Sequence, residues 1–302
     1  MNDIKIIICT TFRDFNGSEN DEIQKAFLKS IENQTYQNFE LVVTLFGEKN
    51  VQKEVEKFNF KSSFFNSSIE GHRYSLTKVI LNAIDQAEKE NGLYLIFWTT
   101  CDIIYDDNFF EIVIKNYTNN IIGTSHPHIT FSSLAKYNEK INNKEKLFSG
   151  FDLIYFDKFF LNHKIKDAIK NYTFNDWGVF EHFLISLNEL NKESNMINIY
   201  EESKVYKIEN DRELTNELDQ FLMNSHKLNS VVFNKFLDEN NITSEYFDLA
   251  FCHFRFKITK NAIKHYWSFR IDVIEYIKRK FRRNIAKLIP DEIKKIIKGK
   301  KI

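Results

Sequence analysis

Proline and glycine are close to missing. With 2 Pro and 8 Gly in 302 residues, the chain is neither a Pro/Gly-rich disordered segment nor a collagen-like repeat. Cysteine is equally scarce. Cys9, Cys101 and Cys252 show no metal-ligand spacing and no even pairing, which argues against a disulfide-stapled domain and for a reducing cytoplasm. No run approaches the roughly 18 apolar residues that a membrane span requires. The first nine residues read as a strand and the chain turns polar at Thr10, so no secretory apolar region is visible. Net charge is absent too, with 42 basic and 42 acidic residues.

What is present is apolar mass and an uneven charge. The chain is 43% hydrophobic and 28% charged, with 30 Phe, enough for a substantial core in one large domain or a domain with an appendage. From Phe256 to Ile302 there are 15 Lys/Arg against 4 Asp/Glu, a net of +11, which leaves −11 on residues 1–255. Ile263, Tyr266, Trp267, Ile271, Ile274 and Ile277 fall at helical spacing, Lys278–Arg283 is a cationic cluster, and Pro290 opens a second short basic helix. Such a tail suits an anionic lipid surface, at about 1 kcal/mol per basic residue. It equally suits packing on the acidic body of the same chain. No nucleic-acid recognition motif accompanies the charge.

Before the tail, apolar runs alternate with helical periodicity. Ile4–Cys9 reads as a strand, and Ser18–Asp21 resembles a capping box ahead of Ile23, Ala26, Phe27 and Ile31. Phe39–Phe46 is a second strand and Val51–Phe58 a second helix. Leu76, Val79, Ile80 and Ala83 mark a helix reaching about Glu90, and Leu93–Trp98 is an apolar run that turns polar at Thr99. Strand–helix repetition predicts an α/β fold with a parallel, doubly wound sheet. Ligands of such sheets bind outside the carboxyl ends of the strands, where Asp102 falls. An isolated Asp there is also an ordinary turn residue. Further strands are expected at 120–124 and 150–156, a helix from Asn108 to Ile114, and a strand pair over 197–208. Helix should cover most of 212–239, with a polar break near Asn224.

The segment Ile4–Arg13, followed by Ser30-Ile31-Glu32-Asn33-Gln34-Thr35-Tyr36 and Phe39-Glu40-Leu41-Val42-Val43, resembles the opening of family 2 glycosyltransferases of the GT-A fold. There a first strand, a helix ending in S-I-x-x-Q-T-Y and a second strand beginning F-E recur in order. The resemblance implies a GT-A type doubly wound mixed sheet flanked by helices; it covers about the first two hundred residues, and the helical, basic C-terminal region is read from the residues alone. Together these divide the chain into a nucleotide-sugar-binding and catalytic domain, 1–210, and a helical extension, 211–302.

The resemblance also implies roles. Thr10, Thr11 and Arg13 would lie against the donor nucleoside, with Glu48 standing where the family carries an Asp pair. Arg73 and Lys78 would meet the donor diphosphate. The family's Asp-x-Asp motif, which holds a divalent cation, Mn2+ or Mg2+, falls on Thr100-Cys101-Asp102. One carboxylate is thus replaced by a threonine. His253 is the counterpart of a late metal ligand, and equally a core histidine. The catalytic base of the family falls on Asp176, ahead of Trp177, with Glu181 the alternative if the register slips. Either Asp176 or Glu181 would take the acceptor hydroxyl's proton. Asp176 also reads as a helix cap. His126 and His128 are read as loop residues near the acceptor.

The expected activity is transfer of a sugar from a nucleotide-diphosphate donor to a surface glycan or lipid-linked acceptor, inverting, with an Asp base. It would take place at the cytoplasmic membrane face. Two alternatives remain: another nucleotide-dependent transferase, moving a nucleotidyl or phosphoryl group, and a non-catalytic protein that keeps the fold.

Overall fold

The structure, a computed structural model, describes residues 4–67, 75–125, 128–131, 133–139, 146–148, 153–199, 201–208 and 216–242. The elements run β1 (Lys5–Thr10), α1 (Glu19–Glu32), β2 (Phe39–Leu45), α2 (Val51–Val55), β3 (Ser62–Asn66), α3 (Leu76–Ala87), β4 (Tyr94–Thr99), β5 (Ile103–Tyr105) and α4 (Phe109–Lys115). Then come β6 (Ile121–Thr124), β7 (His128–Phe131), α5 (Leu134–Asn138), β8 (Lys146–Phe148), β9 (Leu153–Asp157), α6 (His163–Asn171) and α7 (Trp177–Ser186). A 3-10 turn (Leu187–Leu190), β10 (Asn195–Asn198), β11 (Val205–Ile208) and α8 (Asn216–Glu239) complete the set. All lie in one compact unit, Met1–Asn241, which runs past residue 210 and takes in α8.

The fold is mixed α/β. Seven strands form a sheet in the order β10-β6-β9-β4-β1-β2-β3. β9 alone among these runs against its neighbours, β4 and β6; all other pairings are parallel. From β1 the chain steps outward through β2 to β3, then returns to place β4 on the other side of β1. This reversal is a topological switch point, and crevices outside the carboxyl ends of strands form there.

β1, β2 and β4 are buried over nearly their whole length, as their largely apolar runs require of strands covered on both faces. One face carries Ile6, Ile8, Leu41, Phe97 and Tyr155 into a cluster with Phe27 of α1 and Phe110 of α4. The other is covered by α3, which packs on β1, β2 and β4, and by α7, whose Phe180 meets Trp98 edge-on at 5.5 Å. Tyr155 stacks on Phe97 at 4.9 Å and lies over Gly123 of β6, where a Cβ would sit 2.0 Å from the ring. Only glycine fits that position.

The Gln34-Thr35-Tyr36 motif has a structural role. Gln34 leaves the end of α1, donates to the carbonyls of Ser30 and Asp106, and accepts from Phe110 N at 2.9 Å. Thr35 N donates to Asp107 O at 2.8 Å, and the Tyr36 hydroxyl donates to Ile4 O. Three consecutive side chains or amides therefore lock α1 to the start of α4 and the start of β1.

Some expectations change. Residues 197–208 do contribute two strands, but not to each other: β10 joins β6 in the large sheet, whereas β11 pairs with β5 and β7. The second sheet, β5-β11-β7-β8, was not foreseen. α8 continues through Asn224 without a break, because flanking apolar turns outweigh one polar position. The capping box is half made. Ser18 donates to Asp21 Oδ1 instead of capping, while Asp21 Oδ2 reaches back to Gly17 N at 2.6 Å.

Candidate functional site

β1 and β4 run side by side with Cys9 abreast of Trp98, so Thr10 ends level with Thr99. Their ends are tied by Thr10 Oγ1, which donates to Thr99 O at 2.8 Å, and by the Tyr105 hydroxyl, which donates to Thr99 Oγ1 at 2.6 Å. The chain leaves β4 through Thr100, Cys101 and Asp102 in a turn, and the Asp102 carbonyl accepts from Ile208 N at 3.0 Å. The turn is thereby anchored to the second sheet, leaving the Asp102 carboxylate half-buried at the switch point. Thr100, in the position expected for a carboxylate, donates to Asp102 Oδ1 at 2.5 Å. The two residues face each other as donor and acceptor.

The β1 loop is held on both sides. Gln24 of α1, itself buried, accepts from Arg13 N at 2.7 Å and from Cys101 Sγ at 3.6 Å. The Arg13 guanidinium is exposed and bonds Asn20 Oδ1 at 3.3 Å. Across the gap, Lys49 N donates to Asp14 Oδ1 at 2.6 Å and Asn50 Nδ2 to Phe15 O at 3.2 Å, zipping the β1 and β2 loops together. Glu48 folds back so that Oε2 accepts from Phe46 N at 2.6 Å. Burial pushes its carboxyl above the ordinary glutamate value, and the charge of Asp14 adds to this against two backbone N–H groups.

Asp176 reaches the same edge by two routes. Trp177, which follows it, packs on Trp98 with ring centroids 5.4 Å apart. The segment before it is sewn to the start of α3: Leu76 N donates to Phe174 O at 2.8 Å, and Thr77 Oγ1 bonds both Tyr172 O and Phe174 N at 3.0 Å. Asp176 is the N-cap of α7, its Oδ1 accepting from Val179 N at 3.0 Å. Such a cap contributes about 1 kcal/mol. Ser75 caps α3 by accepting from Lys78 N at 3.3 Å. The half-buried Lys78 side chain has no ion pair or hydrogen bond among the described residues.

Thr10, Thr11, Thr100, Asp102, Lys78 and Asp176 are thus all carried by segments that meet at the carboxyl ends of β1 and β4. Arg13 and Glu48 lie on the flanking loops and are engaged with their own neighbours. Glu181 lies on α7, five residues beyond its N-cap Asp176, and is buried, 7% exposed. Arg73, His126 and His253 lie outside the described residues.

Trp98 and Ser125 of this edge were given no site role from the sequence, whereas Thr11 was expected against the donor nucleoside. Thr11 Oγ1, Trp98 Nε1 and Ser125 Oγ are buried polar atoms without a hydrogen-bond partner among the described residues. They stand at the ends of β1, β4 and β6, which point the same way. Buried polar groups are otherwise almost always paired. Nothing in the sequence announces an unpaired indole; Ser125 was read only as part of a turn.

The described residues do not by themselves make a metal site. No three or more His, Cys, Asp or Glu converge among them, and a hard divalent cation takes six or more oxygen ligands. Asp102 offers one carboxylate with one oxygen already bonded. An ion there would take its remaining ligands from a bound anion and water.

No described helix is long and apolar enough to cross a membrane. No protein-family model matches the chain, and neither does any curated protein. Among solved structures the chain is similar to a mannosyltransferase, PcManGT from Pyrobaculum calidifontis, in complex with GDP-Man and Mn2+. The identity is 8% and the TM-score 0.47, over 93% of this chain and 83% of that one. It is similar to a cytidylyltransferase from Leptospira borgpetersenii at 13% identity and TM-score 0.41, over 79% and 95% of the two chains. TarS from S. aureus in complex with UDP gives 12% identity and TM-score 0.40, over 90% and 77%. At these values the likeness concerns the fold alone and carries no argument about activity.

Proposed function

We propose that this chain is a nucleotide-dependent transferase of GT-A type that moves a sugar from a nucleotide-diphosphate donor to a hydroxyl acceptor. The reading is supported by the packing of Trp177, which follows Asp176, on Trp98 of β4, whose carboxyl end leads to Asp102 beside Thr10; the sequence resemblance assigns Thr10, Asp102 and Asp176 to one reaction. The donor would lie across the carboxyl ends of β1, β2 and β4, its nucleoside against the β1 loop and its phosphates toward Lys78 and Asp102. Asp176 would take the proton of the attacking hydroxyl, a contribution of about 10²–10⁴-fold for a positioned base. Inversion at the anomeric carbon follows from a single displacement with one base. The acceptor class suggested by the resemblance is a surface glycan or lipid-linked sugar, met at the inner membrane face, with the basic segment 256–302 available for an anionic lipid surface.

A second reading, nucleotidyl transfer, is favoured by the single carboxylate at Thr100–Asp102. The products separate the two. With UDP-glucose, UDP-N-acetylglucosamine and GDP-mannose as probes, with and without Mn2+, sugar transfer or hydrolysis releases the nucleoside diphosphate. With CTP or UTP and a sugar phosphate, nucleotidyl transfer releases pyrophosphate. Asp176→Asn should keep nucleotide binding and lower turnover by about 10²-fold or more. Asp102→Ala should weaken binding. Full turnover by Asp176→Asn overturns the base assignment.

A further inference from the structure

The residue before Asp176 and Asp176 itself both point their backbone N–H groups at one side chain. Asn229, in the middle of α8, accepts from Asn175 N at 2.8 Å and from Asp176 N at 3.3 Å through the same Oδ1. Its Nδ2 donates back to Asn175 Oδ1. Asn229 is only 4% exposed. An amide buried among apolar residues costs free energy unless its groups are paired, and both its acceptor and its donor are used on this one dipeptide.

The dipeptide needs holding. Residues 172–176 are irregular, between α6 and α7, and Asp176 is extended at φ −111 and ψ 123. Its own carboxylate fixes the helix side, through Val179 N. On the α6 side, Phe174 O is fixed by Leu76 N. Between these two anchors the peptide planes of Asn175 and Asp176 are clamped from a helix 53 and 54 residues further along the chain. α8 is in turn docked on α7 and its approach. Phe236 meets Phe183 at 4.9 Å and Tyr172 at 5.1 Å, and the Tyr172 hydroxyl donates to Glu239. Phe233 and Phe236 are wholly buried.

We infer that Asn229 is a positioning residue for Asp176: α8 presents an amide that sets the direction of the Asp176 side chain. This rests on the reading of Asp176 as the base. Nothing in the sequence marks it, since Asn229 sits among polar neighbours in an ordinary amphipathic helix.

The experiment compares Asn229→Ala, Asn229→Asp and a packing control, Phe233→Leu, in the full chain. Hydrogen exchange of the peptide spanning 172–178 should speed up at least tenfold in Asn229→Ala. It should stay near wild type in Phe233→Leu and rise less in Asn229→Asp than in Asn229→Ala, since Asp keeps the acceptor for both N–H groups but loses the donor to Asn175 Oδ1. Unchanged protection in Asn229→Ala overturns the clamp. On the probe nucleotide sugar hydrolysed fastest, Asn229→Ala should lose about tenfold or more in kcat with KM within about twofold, as a misplaced catalytic group does. Asn229→Asp should recover most of it. Phe233→Leu should lower thermal stability and leave kcat unchanged. Equal kcat losses in Phe233→Leu and Asn229→Ala would make the effect structural and overturn positioning. Asp176→Asn is run beside them. Full turnover there refutes the base assignment itself, whereas an impaired Asp176→Asn beside an unimpaired Asn229→Ala refutes only the clamp.

Discussion

Glu40 lies at the far edge of the sheet from the site, and replacing it with glutamine gives the sharpest test of how the sheet is held. It is second in β2, opposite Ile7 of β1, and its side chain is fully buried. Oε1 accepts from Ser63 Oγ at 2.6 Å and from Gln86 Nε2 at 2.7 Å. Oε2 faces Lys61 Nζ at 2.7 Å and Lys5 Nζ at 3.2 Å. One carboxylate therefore joins β1, β2, the start of β3 and α3. Breaking a buried ion pair by removing one partner costs about 3–5 kcal/mol. Here Lys5 keeps Glu90 at 2.9 Å, and the Lys61 side chain is 56% exposed, so Glu40→Gln belongs at the lower end, about 3 kcal/mol. The pH dependence has a definite sign. Burial alone would raise the Glu40 carboxyl, but hydrogen bonds from Lys61, Ser63 and Lys5 carry it below the ordinary value of 4.5. A group depressed on folding contributes stability above its unfolded value and loses it as pH falls through the folded one. The gap between wild type and Glu40→Gln should therefore be full at pH 7 and narrow below about pH 4. Urea unfolding at both pH values, with unchanged slope, measures it. A gap below about 1 kcal/mol at pH 7, or one that does not narrow on acidification, refutes the reasoning.

Three other outcomes are expected. Gly123→Ala puts a methyl within 2.0–2.4 Å of the Tyr155 ring, which is buried and stacked on Phe97 and cannot yield; unfolding should show a loss of about 1–3 kcal/mol. Thr100→Asp supplies a second carboxylate one residue from Asp102, and calorimetry without nucleotide should find Mn2+ binding about tenfold or more tighter than in wild type. Cys9 is wholly buried and burial pushes its thiol far above the ordinary value, whereas Cys101 is half-exposed; iodoacetamide applied to the native protein should therefore label Cys101 and spare Cys9, as peptide mass mapping will show.

The legible parts of the fold are those whose signal is local. β1, β2 and β4 are buried on both faces, so their apolar runs stand out, and α1 and α3 carry one apolar stripe each. β3 went unread because an edge strand of sequence SSFFN is half-exposed and alternates weakly. The second sheet is illegible for another reason. Val205 pairs with Tyr105 and Tyr206 with Ile129, contacts that no window of sequence contains. At the site the division is similar. The roles proposed for Thr10, Thr100, Asp102 and Asp176 come from motif order, whereas Trp98 Nε1, Ser125 and Asn229 draw notice only from what surrounds them. The Gln34-Thr35-Tyr36 motif shows a third case: its order was readable, but its physical work, a three-way clamp on α1, α4 and β1, was not.

The substitution at Thr100 alters the electrostatics of the edge. Two carboxylates there would put two negative charges beside an arriving diphosphate. At about 5 Å and an effective dielectric near 20, each charge pair opposes binding by about 3 kcal/mol, which a cation must offset before the anion can settle. This edge instead presents Asp102 alone, with a threonine hydroxyl bonded to it at 2.5 Å and Thr10, Thr11 and Thr99 alongside. Of these hydroxyls Thr11 Oγ1 alone has no hydrogen-bond partner among the described residues and can donate to a phosphate oxygen, and Lys78, in the first turn of α3, would add one positive charge. Fewer charges then need neutralising, so anion binding here should depend less steeply on divalent ions than at a paired-carboxylate site. Thr100→Asp is expected to reverse this. UDP or GDP should bind the variant tightly only with Mn2+ present, while the wild-type protein retains a larger share of its affinity in chelator. If chelation abolishes nucleotide binding by both proteins alike, Thr100 does not set the metal dependence of the edge.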